Sequence, residues 1–391
     1  MRQVGIDNVE PGMVTARHVY PLGEASGIPL LAAQVVVTEA ILRRLKRTGI
    51  GIVMIDDANS AGIEAVSPIT DDTRRQAIGV LKDAFQVMGR EDGRLAPEQM
   101  QDVEGVISKI LSEVANRKNL LVCLSDLNIF GGERMQHALN VCVIGSAVAK
   151  QFFRSHGWRD FRGQRREDGI EDRMVKLGVG LLLQDIGTMA VPDAIREKRG
   201  ILTAEERAIM RQHPLLGLEL LEGSEISPLT KVTIAQHHER FDGSGYPRGL
   251  TGEDIHDHGQ IAAVAEAYSA LCNEQDGEGK AFQPHEAYRL ILQARGRLFR
   301  PEIVDAFAAA IAPYGPGTTV QLSDGRYGIV RGNHAGAPLE PLVRVTHDQD
   351  GVRFDPPLEV DLLASKGSIS IKAPTKGLPG DRGMINSTDS E

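Results

Sequence analysis

The chain has 391 residues, 41% hydrophobic and 25% charged, a size and balance suited to two or three ordinary globular domains. A net charge of −9 argues against broad nucleic-acid binding, which needs a basic face. No apolar run reaches the roughly 18 residues of a spanning helix, and no basic stretch precedes an apolar core at the N-terminus, so a cytoplasmic protein without a membrane span is expected.

Residues 1–57 alternate short β-like runs with turns, Glu10-Pro11-Gly12 among them. Thr38 is placed to N-cap a helix from Glu39 to Lys46 that stops at Gly49, and Ile50 to Ile55 reads as a closing strand. The expectation is a small α+β module with a regulatory or dimer-forming role. Residues 58–118 read as a linker, Asn59 to Thr70, and two helices. Their apolar positions recur at helical spacing: Ile78, Leu81, Ala84, Phe85 and Met88, then Met100, Val103, Val106, Ile110 and Val114.

Residues 119–313 are almost wholly helical in pattern. His137 opens an apolar face continued by Val141, Ile144 and Val148. A polar loop, Arg154 to Asp172, carries five arginines interleaved with Asp160, Glu167 and Asp168, which favours a solvated loop over phosphate contact. Leu177 to Ile186 is a buried helix ending near Gly187, and Thr203 with Glu206 makes a capping box for the helix leading to His213. Pro228 precedes the helix that delivers His237, and Gln260 to Leu271 is a further buried helix carrying Glu266. Residues 314–364 change to short β runs around a Ser323-Asp324-Gly325-Arg326 turn, a small β unit expected to pack on the helical domain. Residues 365–391 read as a disordered tail. The fold class is mainly α: a helical bundle between a small α+β domain and a small β unit. Cys123, Cys142 and Cys272 stand singly in apolar runs, as buried thiols of a reducing compartment.

The chemistry concentrates in His237-His238-Glu239-Arg240-Phe241-Asp242-Gly243-Ser244-Gly245-Tyr246-Pro247. Imidazole and carboxylate are the ligands of zinc, iron and manganese. Adjacent side chains on a helix point about 100° apart, so the His pair is expected to serve two ions, or one ion and a substrate. Gly243 and Gly245 permit a sharp turn close to a ligand, and Pro247 stiffens its exit.

This stretch resembles the signature of the HD-GYP family of metal-dependent phosphohydrolases, and further landmarks follow over roughly residues 120–310. His137-Ala138-Leu139-Asn140-Val141 matches the family's opening histidine run, with Glu133 one turn before it. Gln184-Asp185-Ile186-Gly187-Thr188 stands where the family has His-Asp-x-Gly-Lys, so the metal-bridging Asp185 is kept while Gln184 and Thr188 replace a histidine and a lysine. His213-Pro214-Leu215-Leu216-Gly217 is intact, and Glu266 replaces the final aspartate. Gln275 and Glu278 fall where the family carries phosphate-binding cations. The resemblance implies metal ligands at Glu133, His137, Asp185, His213, His237, His238 and Glu266. It assigns Asp185, Gln184 and Thr188 to the catalytic motif, and Asp242, Gly243, Gly245, Tyr246, Pro247, Gln275 and Glu278 to the substrate and its loop. It implies two or three divalent ions, iron or manganese before zinc, acting on cyclic di-GMP or a related cyclic dinucleotide in bacterial signalling, with weak or altered turnover. The alternative is a catalytically inactive receptor or scaffold. GGDEF-type signalling proteins docking through the Gly-Tyr-Pro loop, and a homodimer, are the further partners it suggests.

Overall fold

The structure, a computed structural model, describes residues 1–20, 29–48, 50–65, 67–90, 95–116, 121–123, 133–159, 162, 164–198, 200–273 and 281–381. The chain forms two compact units. One joins Met1–Ser67 to Ala312–Glu391; the other comprises Pro68–Leu124 and Glu133–Ile311.

The first unit opens with strand β1 (Arg2–Gly5), strand β2 (Val14–Thr15), helix α1 (Glu39–Arg47) and strand β3 (Ile52–Asp56). β3 lies between β1 and β2 and is antiparallel to both. The Thr38 hydroxyl accepts the Ile41 amide at the start of α1, the expected cap. Leu42 and Leu45 on one face of α1 pack with Val4, Val53 and Ile55 of the sheet.

The second unit is helical. Thr70 caps α2 (Asp71–Met88), which packs antiparallel-paired with α3 (Pro97–Asn116) through the apolar stripes read from the sequence. The central element is α4 (Glu133–His156), buried on every side between Ala138 and Ala149, as a helix surrounded by other helices must be. A short hairpin, β4 (Trp158–Arg159) and β5 (Arg165–Arg166), occupies the arginine-rich segment, and its Arg165 and Arg166 are exposed and paired to Glu167 and Asp168. Then come α5 (Ile170–Leu183), a 3-10 turn (Ile186–Ala190), α6 (Asp193–Arg196), α7 (Ala204–Met210), α8 (His213–Leu220) and α9 (Pro228–Gln236). Helices α10 (Asp257–Cys272), α11 (Pro284–Gln293) and α12 (Pro301–Ala310) complete it. α4 is contacted by α5, α10 and α12, and α5 packs on α9. Close approach is built in: a Cβ on Gly187 would lie 2.0 Å from the His213 carbonyl oxygen and 2.3 Å from the Gly217 amide nitrogen. The 3-10 turn carrying Asp185 at its start can therefore press directly against α8.

The first unit ends in a five-stranded antiparallel sheet of β6 (Thr319–Leu322), β7 (Tyr327–His334), β8 (Ala337–His347), β9 (Arg353–Asp361) and β10 (Ile371–Pro374), in the order β10-β6-β7-β8-β9. Three expectations are corrected here. The β unit belongs with residues 1–67: Ile63 packs with Ile329 and Leu378, so much of the expected Asn59–Thr70 linker is packed chain. The expected tail does not begin at 365, because apolar Ile371 pairs β10 to β6. Asp381 is also held, accepting from Arg2 at 2.6 Å while Asp57 accepts from the same guanidinium at 2.7 Å. Arg2 is 2% exposed, and a buried guanidinium needs both carboxylates.

Candidate metal centre

Five helices deliver the donors to one place. His137 comes from the first turns of α4, Gln184 and Asp185 from the C-terminal end of α5, and His213 is the first residue of α8. His237 closes α9, His238 follows it, and Glu266 sits in the buried middle of α10. Two groups of donors form, in each of which the ligand atoms lie within 4.8 Å of one another: Asp185, His213, His237 and His238; and His137, Asp185 and Glu266. Asp185 belongs to both. The sequence reading separated His237 from His238 by their angle on a helix. The structure brings both into one group of candidate donors, His237 at the C-cap of α9 and His238 just beyond it.

Two of the three histidines are oriented by the backbone. His213 Nδ1 donates to the Met210 carbonyl at 2.9 Å, and His237 Nδ1 to the Ile234 carbonyl at 2.7 Å. Each bond runs back three residues along the chain and fixes the proton on Nδ1, leaving Nε2 as a bare lone pair. The two Nε2 atoms then face one another at 3.0 Å, with Asp185 Oδ1 at 3.4 Å from the first and 3.8 Å from the second. Two facing lone pairs repel unless a cation lies against both, and bonds of about 2.1 Å to one ion would suit that separation in cis positions. Burial pushes the His237 imidazole down to about 4, the neighbouring His213 adding to the effect, and burial holds His238 well below its ordinary value. Neutral imidazole is the form a metal takes. Burial would raise the Asp185 carboxyl, but His213, His237 and His137 hold it well below the usual carboxylate range. The residues fit a divalent ion.

The second group is differently satisfied. His137 Nε2 lies 2.8 Å from Glu266 Oε2, and its Nδ1 3.0 Å from the Ser269 hydroxyl. Burial opposes charge on His137, but the Glu266 carboxylate outweighs it and raises the group to about 9. Gln184, wholly buried, donates its amide to the same Glu266 oxygen. Its own Oε1 is buried with no hydrogen-bond partner. An orphaned amide oxygen pointing away from its carboxylate partner is a hard donor available to a metal.

The Gly-Tyr-Pro turn is anchored rather than free. Buried Glu239 accepts the Arg248 amide at 2.8 Å and the Leu250 amide at 2.9 Å. Asp242 accepts the Ser244 amide and hydroxyl, and Gly243 takes φ +79°. A Cβ on Gly245 would lie 2.3 Å from the Arg240 nitrogen, so the turn closes only with glycine there. Tyr246, preceding Pro247, stacks on His238 at 4.5 Å between ring centroids. The Thr188 hydroxyl donates to the Asp185 carbonyl at 2.7 Å. The side chain of Glu133, and residues Gln275 and Glu278, lie outside the described residues. Sequence reading missed Ser269, the loop-anchoring role of Glu239 and the two carbonyls that orient His213 and His237. Backbone acceptors leave no residue signature, whereas an acidic residue after paired histidines could have suggested a loop anchor.

Residues 171–303 match the model of an HD domain, and residues 319–375 that of a KOW domain associated with HD domains. A cyclic di-GMP phosphodiesterase of Pseudomonas aeruginosa is 33% identical over 242 residues, covering 61% of this chain and 54% of that protein. A cyclic di-GMP phosphodiesterase of Thermotoga maritima is 43% identical over 155 residues, covering 39% of this chain and 41% of that protein. Among solved structures, an HDG"Y"P protein of Bdellovibrio bacteriovorus aligns with a TM-score of 0.44 at 16% identity, over 78% of this chain and 97% of that one. The chain spans about half the length, or less, of these two curated relatives.

Proposed function

We propose that this HD-GYP protein is a metal-dependent cyclic-dinucleotide phosphodiesterase of bacterial signalling, weak or altered in turnover, with cyclic di-GMP or a close relative as substrate. The observation that carries the reading is Asp185, shared by two donor groups, one of which presents bare imidazole lone pairs with their tautomers already fixed. His213, His237, His238 and Asp185 would hold one ion; His137, Asp185, Glu266 and the Gln184 oxygen a second; Glu133 would serve a third. Iron or manganese is preferred to zinc, since oxygen donors make up much of the second group. Bound divalent ions lower the pKa of a water and offset charge on a phosphodiester. The chain's own part is to keep the His237 and His238 imidazoles neutral, to hold Asp185 ionised beside them, and to shape the mouth of the site with the Asp242–Pro247 turn. We assign Gln184 and Thr188 to the catalytic motif and Gln275 and Glu278 to the substrate side.

A second reading, a receptor without turnover, is favoured by Gln184, which ties up a Glu266 oxygen that could otherwise bind metal. GGDEF-type proteins would dock on the exposed part of the turn, and residues 1–57 are the segment we assign to regulation or homodimer formation. We place the protein in the cytoplasm, where the thiols of its three cysteines would stay reduced. The test is elemental analysis of purified protein with a turnover assay on cyclic di-GMP and its GMP–AMP hybrid. Slow, metal-dependent cleavage to a linear product supports the enzyme. Tight nucleotide binding without product supports the receptor, and neither binding nor product sinks both.

A further inference from the structure

A cyclic dinucleotide carries two phosphodiesters on one ring. If one of them lies at the metal centre, the second needs a cation of its own a short distance away, and Thr188 does not supply it, because its hydroxyl is committed to the Asp185 carbonyl. The described residues contain a cleft of about 380 Å³ beside the turn, lined by Arg207, Arg211, Gln212, Tyr246 and Pro247 among others. The two arginines are four residues apart on α7 and its C-terminal continuation, so they share a face. Both are exposed, and the Arg211 guanidinium carbon stands 5.2 Å from the centroid of the Tyr246 ring. That ring stacks on His238, and its centroid is 6.4 Å from that of His213. Tyr246 is therefore close both to imidazoles of the metal centre and to a guanidinium.

We propose that Arg211 and Arg207 form a phosphate-recognising subsite for the second, uncleaved phosphodiester of the ring. The inference rests on the phosphodiesterase reading of the centre. Guanidinium offers two parallel donors to a phosphate, and the Tyr246 face holds Arg211 in place before substrate arrives. The subsite is specific to ligands with a second phosphate; a diester with only one has no use for it.

Manganese-loaded protein separates the outcomes. The exposed pair is changed together, Arg207→Ala with Arg211→Ala, beside Arg211→Lys alone, and each is assayed on cyclic di-GMP and on bis(p-nitrophenyl) phosphate, which has a single phosphate. The double variant should raise KM for cyclic di-GMP by roughly tenfold or more, with metal content and cleavage of the one-phosphate diester unchanged. Arg211→Lys should fall between, since it keeps charge but loses the fork. Equal kinetics on cyclic di-GMP overturn the subsite while leaving the enzyme reading in place, and so does an equal loss on both substrates. If the native protein neither binds nor cleaves cyclic dinucleotides, the enzyme reading fails, and thermal shift by inorganic pyrophosphate decides the cleft. A shift lost in the double variant keeps the anion site; an unchanged shift, or none, ends it.

Discussion

The two donor groups that meet at Asp185 are built on opposite principles. In the His213–His237–His238 group main-chain carbonyls orient His213 and His237, and the Nε2 atoms of those two are left facing one another. In the His137–Glu266 group the orienting partner is a side chain, Ser269, and the donors satisfy one another: Glu266 Oε2 takes both His137 and Gln184. A group whose lone pairs repel gains from a cation in full, while a group with internal hydrogen bonds must first give them up. The first should therefore bind an ion more tightly than the second, and the site should load in two unequal steps.

The sharpest way to break this comparison is to remove what the groups share. Asp185→Asn leaves the shape but takes away the only anion common to both, so both ions should be lost from the purified protein by elemental analysis. One full equivalent remaining would mean that the groups are independent sites. His213→Ala, by contrast, should empty the three-histidine group and leave the weaker one measurable.

Much of this centre was legible in the sequence because its donors are side chains of rare type in fixed order. The stripes of α2 and α3 were legible for a similar reason, a period of 3.6 residues written in apolar positions. What could not be read is held by backbone or by distance. The carbonyls of Met210 and Ile234 belong to unremarkable residues, yet they set two tautomers. Arg2 and Asp381 stand at opposite ends of the chain and pair in one unit, so nothing local marked residues 371–381 as ordered. The angle argument for His237 and His238 treated both as helical, whereas α9 ends at Gln236 and both side chains reach one group of candidate donors.

The next largest effect probes the orienting partners themselves. The carbonyls behind His213 and His237 cannot be mutated away, but Ser269 can. Ser269→Ala removes the bond to His137 Nδ1, a loss that typically costs 10–100-fold in metal affinity. The loss should appear only in the weaker of the two binding steps of a manganese titration. A fall in the tighter step would place His137 in the other group.

The smallest change should come from Gln184→His, and it sharpens the comparison in the opposite direction. Gln184 leaves its Oε1 without a hydrogen-bond partner, while its amide nitrogen donates to Glu266. Imidazole binds first-row ions better than an amide oxygen does. A histidine in its neutral form can present a lone pair to the metal and can donate to at most one acceptor with the other nitrogen. The variant should therefore strengthen the weaker step several-fold and leave the tighter step alone, bringing the two closer together. Competition against a fluorescent chelator measures both steps in one titration. If the weaker step does not move, the amide oxygen is already a competent ligand there, and the inequality of the two groups must come from the mutual satisfaction of His137 and Glu266 rather than from the residue beside Asp185.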